Sequence, residues 1–131
     1  MYPHRIRLRG PWEYEAVSGQ NPLPPPGRMT MPCRWRDGGL PGFAGTIRFR
    51  RHFGYPGRID AFERVWLTFA GVAGTAAIHL NGQLLGSGRE EPFEFEITSL
   101  LQKRNLLEVE IEGGEDGGLW GEVALEIRNT Q

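Results

Sequence analysis

The feature that most constrains the fold of this chain is the alternation of apolar and polar residues in short segments. In the clearest of them, Leu107, Val109 and Ile111 are separated by glutamates. The same period recurs at Ile47–Phe49, Val65–Phe69, Phe93–Ile97 and Val123–Ile127. Successive side chains of a strand point to opposite faces, so each segment has one apolar and one polar face. The pattern predicts antiparallel sheets with one wet side.

Turn signals separate these segments. The strongest is Asn81-Gly82, since a type I′ hairpin turn needs a positive φ at both central residues and this pair supplies it at least steric cost. Nineteen glycines and ten prolines divide the chain further. The one helical candidate is a single turn at Thr98–Leu101, which Thr98 is expected to cap. With weaker segments at 6–8, 12–15, 76–80 and 83–86, about nine strands are expected, spaced as in a β-sandwich or jelly roll.

The segment from Ser18 to Gly45 lacks this periodicity. It contains six prolines and six glycines, and Pro24-Pro25-Pro26 is expected to be extended polyproline II, either packed across the sandwich or free in solvent. An irregular stretch of this length in a compact domain is usually a functional loop or a disordered one. Residues 1–131 as a whole, with this segment included, are expected to form one domain.

Charge and cysteine content exclude several function classes. The net charge of −1 gives no general attraction to nucleic acid or to an anionic membrane. Arginines are concentrated in the first half and glutamates near the end, a distribution that cross-strand ion pairs explain best, with a basic nucleic-acid face as the alternative. The single cysteine, Cys33, excludes an internal disulfide and a cysteine-rich zinc site. No apolar run suits a membrane span or a signal peptide, so a cytoplasmic protein is expected, although a domain cut from a longer secreted enzyme would look the same.

Catalytic chemistry finds little support. No serine lies in a nucleophile elbow, and the glutamate rows at 94–96 and 108–112 are typical of solvated strand faces. Glu112, Glu115 and Asp116 offer oxygen ligands for calcium, but without the spacing of a calcium loop, so a solvated turn is preferred. We therefore expect no catalytic residue, no metal site and no cofactor.

Carbohydrate binding fits the composition better. Sugar rings stack their C–H faces on indoles, and their hydroxyls pair with planar groups such as guanidinium and carboxylate. Two segments combine these types, residues 33–39 around Trp35 and residues 117–122 around Trp120. The alternative is that Trp35 and Trp120 cap the two ends of the core, with arginines stacked on them. Trp12 and Trp66 lie inside strand patterns and are expected in the core or on a sheet face.

The chain also resembles the N-terminal sugar-binding domain of the family 2 glycoside hydrolases, the β-galactosidase and β-glucuronidase group, from about Trp12 to Arg128. The resemblance rests on the order of several short motifs rather than on any single one. These are Trp12-Glu13-Tyr14, Pro32-Cys33-Arg34-Trp35, Gly45 through Phe49-Arg50-Arg51-His52-Phe53, Phe69-Ala70-Gly71-Val72, Leu80-Asn81-Gly82, Pro92 through Thr98, and Asn105 through Val109.

The resemblance implies a galactose-binding-like jelly-roll sandwich without the catalytic (β/α)8 barrel of those enzymes. A last family motif corresponds to Gly117 through Leu125 here. In the family, an acidic residue of that motif faces the barrel's active site and helps to hold the terminal sugar. That position is Glu122 here, and the arginine that precedes it in the family is Gly121. No hydrolase activity is implied, because the catalytic carboxylates belong to the barrel.

The leading hypothesis is a non-catalytic carbohydrate-binding module with its site on loops at one end of the sandwich. Trp35 and Trp120 would stack on a β-glycoside, and Arg36, Asp37 and Glu122 would bind its hydroxyls. The alternative is a scaffold that docks onto a separately encoded glycoside hydrolase or forms a homodimer. An exposed apolar patch of Leu40, Phe43, Leu119 and Trp120 would favour that alternative.

Overall fold

The computed structural model describes residues 2–131, and in that part of the chain it contains no α-helix. Twelve strands are formed. They are β1 (His4–Arg7), β2 (Trp12–Gly19), β3 (Gly27–Met29), β4 (Cys33–Arg34), β5 (Gly45–Gly54), β6 (Glu63–Phe69), β7 (Thr75–Leu80), β8 (Gln83–Gly88), β9 (Phe93–Glu96), β10 (Arg104–Gly113), β11 (Gly118–Leu119) and β12 (Val123–Asn129). A single 3-10 turn covers Thr98–Leu100.

The strands form two sheets and a short ribbon. A four-stranded sheet has the order β1-β12-β6-β9, and a six-stranded sheet has the order β3-β2-β5-β10-β7-β8. Strands β4 and β11 pair with each other alone. Every paired register is antiparallel. The predicted fold class, an all-β antiparallel sandwich of the jelly-roll type, is confirmed.

The core lies between the two sheets and is built from the apolar halves of the alternating segments. Val109 of β10 faces Phe49 of β5 on one side and Ile78 of β7 on the other, and all three are buried. In the four-stranded sheet, Leu67 of β6 faces Leu125 of β12, and both are buried. The period-two pattern thus identified the inward faces of the main strands.

The wet face of the six-stranded sheet carries the charges. Arg48 lies between Glu15 and Glu110 at 3.2 and 2.9 Å, and Arg50 lies between Glu15 and Glu108 at 2.8 and 3.1 Å. These glutamates and arginines come from three neighbouring strands, β2, β5 and β10. Cross-strand pairing, the explanation preferred for the uneven charge distribution, is confirmed for this face.

The Asn81-Gly82 hairpin forms as predicted, with φ values of 53° and 83°. The Asn81 side chain also donates to the Asn105 side chain at 3.0 Å and accepts from the Leu106 N–H at 2.8 Å. The prediction that Thr98 caps the helical turn is wrong. Its hydroxyl accepts from the Val65 N–H at 2.8 Å, and the turn has no side-chain cap.

The segment from Ser18 to Gly45 is more ordered than its sequence indicated, because it contains the end of β2 and all of β3 and β4. Strands of two or three residues are too short for an alternation to be visible. Pro24–Pro26 lies between strands and is largely exposed, which agrees with the extended conformation expected there. The β4–β11 ribbon brings this segment against residues 117–120, where the candidate site is found.

Candidate functional site

Trp35 does not lie at an accessible rim. Its indole is completely buried, and its Nε1 donates to the Phe43 carbonyl at 3.1 Å. The Phe43 ring meets it edge-on at 5.5 Å between centroids. A Cβ on Gly117 would come within 2.2 Å of the indole, and one on Gly113 within 3.3 Å. The glycine-rich loop therefore covers the ring because it has no side chains at these points, and the prediction that Trp35 stacks on a sugar is wrong.

Trp120 has the opposite environment and retains 40% of its accessible surface. One face of the indole rests on the backbone of Gly71, where an added Cβ would approach within 2.1 Å of the ring. The Arg34 guanidinium carbon lies 5.8 Å from the ring centroid, a distance at which cation–π attraction operates. The indole is thus held in place yet remains open to solvent.

The β4–β11 ribbon joins Trp120 to two arginines and two carboxylates. Gly118 faces Arg34 across the ribbon, and Arg34 donates to the Asp116 carbonyl at 2.7 Å. Arg36 forms an ion pair with the Asp116 carboxylate and lies 3.9 Å from Asp37. We call Trp120, Arg34, Arg36, Asp37 and Asp116 the rim cluster. Its side chains combine an accessible aromatic face with exposed guanidinium and carboxylate groups.

Two adjacent hollows lie beside the rim cluster, and we call them together the groove. One, of about 690 Å³, is lined by Gly74, Thr75 and residues 88–93. The other, of about 400 Å³, lies between Gly74, Glu90 and residues 114–117, which include Asp116 of the rim cluster. Gly74 and Glu90 line both hollows, and the second hollow borders the cluster.

Glu122 belongs to a different network. Its two carboxylate oxygens lie 2.9 Å from Arg5 and 3.1 Å from Arg7, both on β1 at the edge of the four-stranded sheet. Its ion pairs are therefore to β1, and its contact with a sugar beside Arg36 and Asp37 stays a prediction. Both β1 partners are more than a hundred residues away in the chain, which is why local sequence did not reveal them.

The presence of glycine at position 121, before Glu122, is explained by steric crowding. A Cβ on Gly121 would lie 2.4 Å from the Gly71 nitrogen and 2.7 Å from the Ala70 carbonyl carbon. The Gly121 N–H also donates to the Gly71 carbonyl at 3.1 Å. The backbones are too close here for any side chain. The arginine that the resemblance would place at position 121 has no room in this chain.

Cys33 lies in the ribbon beside the rim cluster. Partial burial, and secondarily the negative charge of Asp37, raise the pKa of its thiol. The thiol donates to the Arg34 carbonyl at 3.1 Å. A raised pKa disfavours the thiolate, which is the nucleophilic form. Among residues 2–131, no group of three or more histidine, cysteine, aspartate or glutamate side chains is placed to hold a metal ion.

The apolar patch that would favour a docking scaffold is not formed. Leu40, Phe43 and Leu119 are all buried, so Trp120 is the only one of the four that reaches solvent. Sequence reasoning named Arg34 only in the alternative, as an arginine stacked on a tryptophan that caps the core, and it missed Asp116 and the residues of the groove as site residues. Asp116 lies in a glycine-rich acidic stretch that reads as a solvated turn, and only the pairing of β4 with β11 places it beside two arginines.

No helix in the described residues is long and apolar enough to cross a membrane. No family model matches the sequence, and no curated protein sequence matches it either.

Solved structures do match. The fold is similar to that of a β-glucuronidase from Bifidobacterium dentium complexed with coumarin-3-O-glucuronide, with 25% identity, a TM-score of 0.80, and coverage of 98% of this chain and 31% of that one. A Faecalibacterium prausnitzii β-glucuronidase matches at 21% identity and a TM-score of 0.82 over 97% of this chain and 32% of its own. A putative β-galactosidase from Bacteroides fragilis matches at 18% identity and a TM-score of 0.79, over 98% of this chain and 24% of its own. The chain therefore spans about a third or less of the length of these proteins, and its fold supports a relation to one domain of the family 2 glycoside hydrolases.

Proposed function

We propose that this chain is a non-catalytic carbohydrate-binding module whose site is the rim cluster and the groove beside it. The observation that carries the proposal is the state of Trp120, which is held against Gly71 on one side and exposed to solvent elsewhere. A fixed, accessible indole beside guanidinium and carboxylate groups is the arrangement that binds the C–H face and the hydroxyls of a sugar ring.

Preorganisation strengthens this proposal. Arg34 and Arg36 are both anchored by Asp116, one through its carbonyl and one through its carboxylate, and Arg34 is thereby held over the Trp120 indole. Ordering these side chains before binding reduces the entropy lost when a ligand binds. Because the site is open, most of a bound sugar would stay solvated, and we expect modest affinity.

The ligand class follows from the solved relatives. These include β-glucuronidases, one complexed with coumarin-3-O-glucuronide, and a putative β-galactosidase. β-Linked glucuronides and galactosides are therefore the first ligands to test. Longer oligosaccharides are the second, since the hollow lined by residues 88–93 lies next to the hollow that Asp116 borders.

The proposal is tested by isothermal titration calorimetry with these sugars against the wild type, Trp120→Ala and Trp66→Ala. Trp66 is a matched control, because it is a half-buried indole with Arg128 over its ring at 4.7 Å, but on the wet face of the four-stranded sheet. We expect Trp120→Ala to weaken binding about tenfold or more, equivalent to about 1.4 kcal/mol, with no change in Trp66→Ala.

Equal losses in the two variants would contradict the proposed site. Absence of heat with every glucuronide, galactoside and oligosaccharide at millimolar concentration would contradict the function itself. Circular dichroism of both variants confirms that the sandwich remains folded, so that a loss of binding is not a loss of structure.

A further inference from the structure

Three cations without a carboxylate partner lie together at one end of the molecule. Of the fifteen lysines and arginines, eight form ion pairs among the described residues, and seven do not. Three of those seven, Arg51, Lys103 and Arg104, lie together where β5 ends and β10 begins. Elsewhere on the sheets, arginines such as Arg48 are enclosed by glutamates.

The backbone pairing brings these cations beside an exposed aromatic ring. Arg104 faces Gly54 across the two strands, and the Tyr55 N–H donates to the Lys103 carbonyl at 3.1 Å. Tyr55 retains 43% of its accessible surface, and His52, two residues before Gly54, is exposed as well. We call Arg51, His52, Tyr55, Lys103 and Arg104 the basic end.

Arg51 adds a donor without an acceptor. Its Nε is the one buried side-chain nitrogen or oxygen among residues 2–131 that lacks a hydrogen-bond partner in the protein. Its guanidinium donates only to the neighbouring His52 carbonyl. A guanidinium carries five N–H donors and a full charge. The charge of Arg51 is therefore uncompensated by any carboxylate of the described chain.

The loop that carries Lys103 is held rigidly. Asn105, almost fully buried, accepts from the Gln102 N–H at 2.8 Å and donates to the Gln102 carbonyl at 2.9 Å. The same amide donates to the Phe53 carbonyl at 3.4 Å, which ties the loop to β5. Unpaired cations on a restrained loop form a surface that needs little ordering when an anion binds.

The basic end is separate from the rim cluster. Strand β10 runs from Arg104 to Gly113, and Gly113 lies beside the Trp35 indole at the rim end. Ten residues of strand span roughly 33 Å. The two surfaces therefore occupy opposite ends of the sandwich.

We propose that the basic end binds an acidic polysaccharide, that is, a sugar chain bearing carboxylate or sulfate groups. Lysine and arginine supply the charge, and the exposed Tyr55 ring supplies a face for the C–H groups of a sugar. Tyr55 is the only large exposed apolar side chain among the residues of this surface, too little for a stable protein interface. This inference does not depend on the function proposed for the rim cluster.

The test is titration of the protein with a heparin-derived hexasaccharide and with an oligogalacturonate, at low and at physiological ionic strength. We expect binding that weakens as salt rises, and a loss of about tenfold or more in the double variant Lys103→Ala/Arg104→Ala. The matched control is Arg9→Ala/Arg28→Ala, which removes the same charge from two exposed and unpaired arginines, Arg28 on β3 and Arg9 between β1 and β2. Lys103 and Arg104 are exposed, so both double variants keep the core intact.

The outcomes are distinct. Binding that survives in Arg9→Ala/Arg28→Ala and in Trp120→Ala, but falls in Lys103→Ala/Arg104→Ala and in Tyr55→Ala, supports the proposal whether or not the rim cluster binds sugars. Lack of binding to both acidic glycans, or equal loss in the two double variants, overturns it. Tighter binding of single-stranded DNA of matched charge, unaffected by Tyr55→Ala, would also overturn it, because the surface would then recognise phosphate and not sugar.

Discussion

Trp35 and Trp120 both border the β4–β11 ribbon, but their environments are opposite. Each has glycines close by in the sequence, each rests against a glycine backbone, and the two flank opposite ends of the ribbon. Yet Trp35 is fully buried, while Trp120 keeps 40% of its surface in solvent. This difference makes Trp35 a core residue at the end of the sandwich and leaves Trp120 as a candidate ligand-binding residue.

The comparison shows that the number of covering contacts decides the role of a rim indole. Trp35 is covered by Gly113 and Gly117, meets Phe43 edge-on, and has a carbonyl for its N–H. Trp120 has the backbone of Gly71 on one side and a guanidinium near the other. Contact with a glycine backbone on one side does not bury an indole, because burial also requires protein atoms on its other side.

The largest effect is expected for Trp35→Ala. Removal of a fully buried indole leaves a cavity and frees the Phe43 carbonyl, so the free energy of unfolding should fall by about 3–5 kcal/mol. Urea denaturation followed by circular dichroism measures this loss. A change in the free energy of unfolding below about 1 kcal/mol would show that Trp35 is not an essential part of the core.

The paired glycine variants should differ in the same sense. In Gly117→Ala the new methyl meets an indole locked by Phe43, so we expect a loss of roughly 1–3 kcal/mol. In Gly71→Ala the methyl meets Trp120, which borders solvent, so an indole displaced by the methyl clashes with no further layer of protein and the loss should be smaller. Thermal melts of both variants compare the two, and equal losses would remove the distinction between an indole enclosed by protein and one that borders solvent.

Trp120→Ala should have only a small effect on folding. Its indole is partly exposed and borders Gly71, so we expect the free energy of unfolding to change by about 1 kcal/mol or less. The measurement is the urea midpoint beside that of Trp35→Ala. A loss as large as that of Trp35→Ala would mean that both indoles are structural, which would argue against the proposed sugar site.

The smallest effect is expected for Arg34→Gln. The cation over Trp120 contributes about 0.5–1 kcal/mol at an exposed site, and salt weakens it further. Tryptophan fluorescence in a Trp66→Phe background should then show easier quenching by acrylamide, because Trp120 loses its cover. Arg28→Gln, on an exposed arginine of β3, is the control and should leave quenching unchanged.

The agreement between sequence and structure follows from the range of the interactions involved. Ile47 and Phe49, or Leu107 and Val109, are in the core as predicted, because alternation depends only on immediate neighbours in the chain. The turn at Asn81 was equally local. Thr98 was misassigned because its hydroxyl bonds to Val65, thirty-three residues away.

The contacts that form the candidate site join residues far apart in the sequence, so local patterns did not predict them. Asp116 meets Arg34 and Arg36 across eighty residues or more, and Glu122 meets Arg5 and Arg7 across more than a hundred. No local pattern distinguishes a tryptophan that a glycine loop will cover from one that it will leave open.

The sequence by itself determined the strand periods, the hairpin and the all-β class, since these are set by residues close together in the chain. Only the tertiary structure decided which indole is buried, which carboxylates are paired and where the unpaired cations collect. The physical reason is that exposure and pairing are properties of neighbours in space, which in this antiparallel sandwich come from distant strands.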